Sequence, residues 1–189
     1  AVFASGGGSN FKSIHRHIQK GEIPGNIVLT VSNNPDSGAI EYARKYNIST
    51  LIINKIRNPN PIDQEKLLMQ TLVRNKIDLI CLAGYMKLLS NRIVKQYQNR
   101  VLNIHPALLP KFGGKGFYGI NVHNAVINSG AEATAVTIHY VNEEYDKGMI
   151  IHEEKIPIYK KDTARSLAKR VLAIEHEVYS QVINRLLNN

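Results

Sequence analysis

Four times between residues 2 and 104, a short run of branched apolar residues is followed by a segment whose apolar positions fall three and four apart. Strand followed by helix, repeated in this way, points to a parallel sheet with right-handed crossovers. Residues 2–4 form the end of the first strand, and Phe11, Ile14 and Ile18 mark one face of the first helix. Further strands are predicted at 26–32, 50–53, 78–82 and 100–104. Helices are predicted at 39–46, 63–75 and 91–98, with a turn at 33–36.

Past residue 130 the pattern changes. Residues 134–141 and 149–158 read as two long strands joined by a tight acidic turn, an antiparallel pair. A last helix over 163–187 carries Leu167, Val171, Ile174, Val178, Val182 and Leu186 on one stripe, with Asp162 or Thr163 as its N-cap. The expected fold class is therefore α/β: a Rossmann-like, doubly wound, mostly parallel sheet with an antiparallel C-terminal strand pair and a long C-terminal helix. A length of 189 residues fits one domain, 1–189. Hydrophobic residues at 43% and charged residues at 21% exclude a disordered chain or a coiled coil. Apolar runs such as 79–83 fall far short of the roughly 20 residues that cross a bilayer. No charged-then-apolar leader opens the chain, so a cytoplasmic protein with no membrane partner is expected. Cys81 is the single cysteine, which excludes an internal disulfide and a Cys-based zinc cluster. A net charge of +9 favours anionic partners. The lysines and arginines are scattered and no nucleic-acid-binding motif is present, so nucleic acid is not expected among them.

The turn Ser5-Gly6-Gly7-Gly8-Ser9-Asn10 lies between the first strand and the first helix. Glycines there let backbone N–H groups turn toward an anion at a helix N-terminus. No Gly-Lys-Ser/Thr follows, and Phe11 occupies the third glycine position of a dinucleotide fingerprint. A phosphate monoester fits better than NAD; a plain tight turn capped by Ser9 or Asn10 is the other reading. Asn103 and His105 lie two apart on a strand, so both point to one face at a strand end where ligands bind in such sheets. An amide and an imidazole side by side can each donate to an oxygen that gains charge in acyl or formyl transfer. Asp146, in the turn of the late strand pair, would favour the imidazolium if it reached His105; with Glu143 and Glu144 beside it, a solvated acidic turn is the alternative. His15 and His17 face different directions on a helix, and His123, His139, His152 and His176 have no metal-binding spacing, so no metal is expected.

Residues 102–110, Leu-Asn-Ile-His-Pro-Ala-Leu-Leu-Pro, resemble the "NIHPSLLP" motif of the folate-dependent formyltransferases. Residues 137–141 through Tyr145, Asp146 and Gly148 are similar to that family's second signature. The loop at 4–10 and the run 82–89 resemble the branch that acts on a ribonucleotide amine in purine biosynthesis. The resemblance implies transfer of a formyl group from 10-formyltetrahydrofolate to 5-phosphoribosylglycinamide (GAR), by a monomer or homodimer. It implies Asn103, His105 and Asp146 as the catalytic trio, with His105 held as a cation by Asp146 and able to donate a proton to the leaving folate nitrogen. It further assigns Gly8, Ser9 and Asn10 to the phosphate end of the nucleotide and Glu175 to its ribose. Met86, Lys87, Leu88, Leu89, Val141 and Asp146 would contact the folate. Residues 1–100 would form a nucleotide-phosphate half and 101–189 a folate and catalytic half.

The pattern departs from the family in three places. A folate-contacting arginine of some members aligns near Pro61, with Arg57 or Lys66 as the candidates to substitute. The segment 111–119 is unusually rich in glycine, which predicts a mobile lid whose lysines meet the phosphate. Asn121 stands where a first histidine often precedes His123. Rival readings are formyltetrahydrofolate hydrolase, a formyltransferase acting on another amine such as a charged tRNA, and a non-enzymatic phosphate- or RNA-binding domain. The last would have no use for the trio.

Overall fold

The computed structural model describes residues 1–188. Seven strands and six helices follow the order β1 (Val2–Phe3), α1 (Ser9–Gln19), β2 (Leu29–Ser32), α2 (Gly38–Lys45), β3 (Ser49–Ile52), α3 (Pro61–Arg74), β4 (Ile80–Leu82), α4 (Asn91–Gln96), β5 (Val101–His105), α5 (Ile120–Asn128), β6 (Ala133–Tyr140), β7 (Ile150–Pro157) and α6 (Ala164–Leu187). They build one sheet in the order β3-β2-β1-β4-β5-β6-β7. Pairing is parallel from β3 to β5 and antiparallel from β5 to β7.

Each strand alternates between two apolar layers because successive side chains leave opposite faces. Val2, Ala4, Cys81, Leu102 and Ile104 join the layer under α1, α5 and α6, while Phe3, Ile80, Leu82 and Val101 join the layer under α3 and α4. The expected stripe of α6 is the face that packs: Leu167, Val171, Val178 and Val182 are buried, with Ile174 and Leu186 partly so. Thr163 caps α6, its side chain accepting from Ser166 N–H while the Ser166 hydroxyl accepts from Thr163 N–H. Asp162 is not the cap; it holds the Arg170 guanidinium at 2.7 Å.

The helix α5 over 120–128 is one that the sequence pattern does not predict. α5 is short, begins after a run of glycines, and buries a histidine, His123, between Val122 and Val126. Its fully buried apolar positions are two valines four apart. Among the described residues, no helix is long and apolar enough to cross a membrane. The chain order reverses where β1 lies between β2 and β4, and a crevice opens at the carboxyl ends of these strands.

Candidate active site

A cavity of about 790 Å³ fills that crevice. Its walls are the β1–α1 turn, the segment after β4, the end of β5, the loop before α5, the β6–β7 connection and one face of α6. Gly8, Ser9, Asn10, Met86, Lys87, Leu88, Leu89, Asn103, His105, Val141, Asp146 and Glu175 all line it, so these twelve residues meet one space.

At one end is the start of α1. Gly8, not Ser9 or Asn10, is the N-cap, with φ 70° and no side-chain cap bond. The first turn also holds no acidic residue, so its backbone N–H groups and the positive end of the helix dipole are left for an anion. Beside it Asn10 donates from Nδ2 to Glu175 Oε2 at 3.2 Å across α1 and α6. Asn10 Oδ1 is buried without a protein partner, a place for a ligand hydroxyl. Burial pushes the Glu175 carboxyl up to about 7, with the Asn10 amide pulling the other way.

At the centre the strand geometry brings the trio together. β6 runs antiparallel to β5 with Asn103 opposite His139, and the connection after β6 folds back to carry Asp146 into the crevice. This return is tight: a Cβ on Gly148 would lie 1.6 Å from the Tyr140 carbonyl oxygen, so only glycine fits there. Asp146 Oδ2 lies 3.7 Å from His105 Nδ1 and accepts from Gly114 N–H at 2.9 Å. Asp146 Oδ1 accepts from Asn103 Nδ2 at 3.1 Å. His105 Nε2 donates to the Phe112 carbonyl at 2.7 Å, which leaves Nδ1 as the ring atom available to a ligand.

The expected charge on His105 does not follow from this geometry. The ring is 3% exposed, and loss of hydration outweighs both Asp146 and the Phe112 carbonyl, holding its pKa below 6.5. Burial thus favours the neutral imidazole, with Asp146 working toward the cation. For Asp146, burial acts to raise the pKa, but His139, His105 and Gly114 N–H together outweigh it and hold the carboxyl below its ordinary value. It remains an anion ready to meet a proton arriving on His105.

His139 belongs to this cluster and was passed over in the sequence. Its Nε2 lies 3.1 Å from Asn103 Nδ2, and its Nδ1 lies 2.9 Å from the Tyr140 carbonyl. The signal was strand parity: in an antiparallel pair that sets Asn103 against His139, both share the face that Asn103 and His105 share. His123, also buried, lines the cavity with its Nδ1 unpartnered.

The glycine-rich segment does more than cover the site. Phe112 is buried and its carbonyl holds His105, and Gly114 N–H holds Asp146. Gly113 packs closely: a Cβ would come 2.4 Å from Leu109 Cδ2, which would have to shift, and 3.0 Å from Asp146 Cβ. Lys115 lines the cavity beyond this anchored part. Neither Arg57 nor Lys66 lines it, and Pro61 sits at the start of α3. Among the described residues, no group of three His, Cys, Asp or Glu side chains is placed to hold a metal. Cys81 is buried in the sheet, its thiol pushed up to about 11 by burial.

Comparison with known proteins matches this arrangement. The formyl transferase family model covers residues 1–183. The chloroplastic phosphoribosylglycinamide formyltransferase of Arabidopsis thaliana is 46% identical over 187 residues, 98% of this chain and 64% of that protein, so the chain spans less than two thirds of this relative's length. The phosphoribosylglycinamide formyltransferase of Bacillus subtilis (strain 168) is 33% identical over 99% of this chain and 93% of its own. The solved structure of glycinamide ribonucleotide transformylase 1 from Geobacillus kaustophilus superposes with a TM-score of 0.91 at 34% identity, covering 98% of this chain and 96% of that one. With a family match that takes in both site-bearing segments, and a fold that brings them to one crevice, the chain belongs to the formyl transferase family.

Proposed function

We propose that the protein transfers the formyl group of 10-formyltetrahydrofolate to the primary amine of GAR, a step of purine biosynthesis, in the cytoplasmic setting its sequence predicts. One observation carries this reading: a single cavity is lined by an open helix N-terminus, by Asn10 and Glu175, by the trio, and by the strip Met86, Lys87, Leu88 and Leu89. The phosphate is held by Gly8, Ser9 and Asn10, the ribose hydroxyls by Glu175, and the folate by the strip with Val141 and the Asp146 loop. The first half of the chain thus supplies the phosphate end and the second half the trio, with the folate strip and Glu175 crossing between them.

The chemistry follows from the resting state of His105. The amine nitrogen attacks the formyl carbon, the new C–N bond forms, and the carbonyl pair moves to oxygen. The amine proton passes to the neutral His105 Nδ1, and the imidazolium it creates is stabilised by Asp146 at 3.7 Å. The oxygen pair then re-forms the carbonyl as the bond from carbon to the folate nitrogen breaks; that nitrogen takes the proton from His105, and the imidazole is neutral again.

Spectrophotometric assay of folate deformylation with and without GAR tests the assignment. Turnover that requires GAR is expected. Turnover without it would make the protein a hydrolase, and turnover only with a different amine would change the acceptor. Lys115 is the lysine of the glycine-rich loop that lines the cavity, and a solvent-facing ion pair contributes at most about 1 kcal/mol. Lys115→Ala should therefore raise the KM for GAR about two- to fivefold. An unchanged KM would remove this lysine from the site.

A further inference from the structure

The strand register sets four residues in one row at the carboxyl ends of β2, β1, β4 and β5. Phe3 pairs with Val31 and with Leu82, and Leu82 pairs with Asn103. Two residues further along each strand come Asn33, Ser5, Gly84 and His105. Ser5 ties this row together. Its backbone N–H donates to the Gly84 carbonyl at 3.0 Å, and its hydroxyl donates to Asn33 Oδ1. The same hydroxyl oxygen accepts from Met86 N–H at 2.8 Å. Asn33 is held in turn, its carbonyl accepting from Asn54 Nδ2 at 3.1 Å.

The strip that begins at Met86 has little else to fix it. Residues 85–89 form neither helix nor strand, and among the described residues the bond from Met86 N–H to Ser5 is the one hydrogen bond they make. Tyr85 packs edge-on against the Phe3 ring at 5.2 Å and Leu89 is buried, while Met86 and Leu88 are exposed to the cavity. Ser5 also directly precedes Gly6, the first residue of the glycine-rich turn that lines the same cavity. We propose that Ser5 is a positioning residue that holds the strip in register with this turn, acting through Met86 N–H. This rests on the proposed transfer from folate to nucleotide and deepens it. The amine and the formyl carbon meet productively only when both substrates are held in one frame, and a misplacement of about 1 Å can cost about 10²-fold in rate. A hydroxyl suits this junction because it donates and accepts at once. Alanine would give up both bonds and leave the strip without its tie to the turn.

The test is single-turnover formyl transfer with GAR and 10-formyltetrahydrofolate both saturating, which reads alignment of the bound substrates and not their affinity. Ser5→Ala should be slower than the wild type by about tenfold or more. Its KM for GAR should stay within about twofold of the wild type, and the acid limb of its pH profile should not move, since the acid–base group is untouched. Ser5→Thr, which keeps a hydroxyl, should stay within about threefold of the wild-type rate. A serine that merely supported the fold would weaken GAR binding in step with the rate. A loss below about tenfold in Ser5→Ala, a loss matched by an equal rise in the KM for GAR, or a Ser5→Thr variant as slow as Ser5→Ala overturns the inference alone. Failure of the wild type to transfer the formyl group to GAR overturns the proposed function together with it.

Discussion

Replacing His105 by alanine should lower kcat for formyl transfer by about 10²–10⁴-fold, the range that one positioned acid–base group contributes. The folded state should persist, as the residues that frame the ring hold one another: Asp146 is still bonded to Asn103 and to Gly114 N–H. The pH profile separates a shuttle from a fixed cation. A shuttle must begin neutral, and burial holds the His105 pKa below 6.5. The acid limb of kcat/KM in the wild type should then lie below pH 6.5, with activity lost as the ring is protonated. Stability follows the same sign. The unfolded ring binds a proton near 6.5 and the buried ring resists it, so the contribution of His105 is fully present above 6.5 and declines as pH falls below it. An acid limb above 6.5, or a kcat loss below about tenfold in His105→Ala, would refute the shuttle.

Most of the fold was legible because it rests on local periodicity. Branched strands such as Leu29–Ser32, and helices with apolar positions three and four apart, announce themselves in short windows. Parity on β5 was equally plain, and it put Asn103 and His105 on one face. Facts that depend on distant partners were harder to see. Asp146 reaches His105 only because β6 pairs with β5 and the chain turns back at Gly148. His139 was missed because its meaning lies in its cross-strand register with Asn103, not in its own neighbours. The charge state of His105 was not legible for a related reason: a sequence shows the nearby carboxylate but not the burial that works against it. The plain-turn reading would cap α1 with Ser9 or Asn10 on residue preference, whereas the left-handed backbone at Gly8 moves the helix start one residue earlier.

Replacing Glu175 by glutamine should make the protein more stable and worse at binding its nucleotide. Burial raises this carboxyl from 4.5 to about 7, a displacement worth on the order of 3 kcal/mol against the ionised form. The unfolded chain ionises near 4.5 and the folded one near 7, so this group weakens the fold progressively as pH rises across that window and by a constant amount above it. At pH 8 the glutamine variant, which never ionises, should melt several degrees higher than the wild type, by about 2–4 °C per kcal/mol recovered. Near pH 4 the two should melt together. Glutamine keeps an oxygen for the Asn10 amide, so that bridge between α1 and α6 need not be lost. What it lacks is the negative charge that ribose hydroxyls donate to, and hydrogen bonds to a charged group contribute about 1.5–3 kcal/mol. The KM for GAR should therefore rise roughly 10- to 100-fold in the variant. In the wild type that KM should fall as pH rises through about 7, and in the variant this dependence should disappear. A variant that is stabilised but binds GAR normally would leave Glu175 as a buried acid outside the nucleotide site. One that loses binding without gaining stability at pH 8 would show that the carboxylate is not strained by its burial. Both effects together would mean that a cost carried by the empty fold is recovered when substrate hydroxyls reach the buried charge.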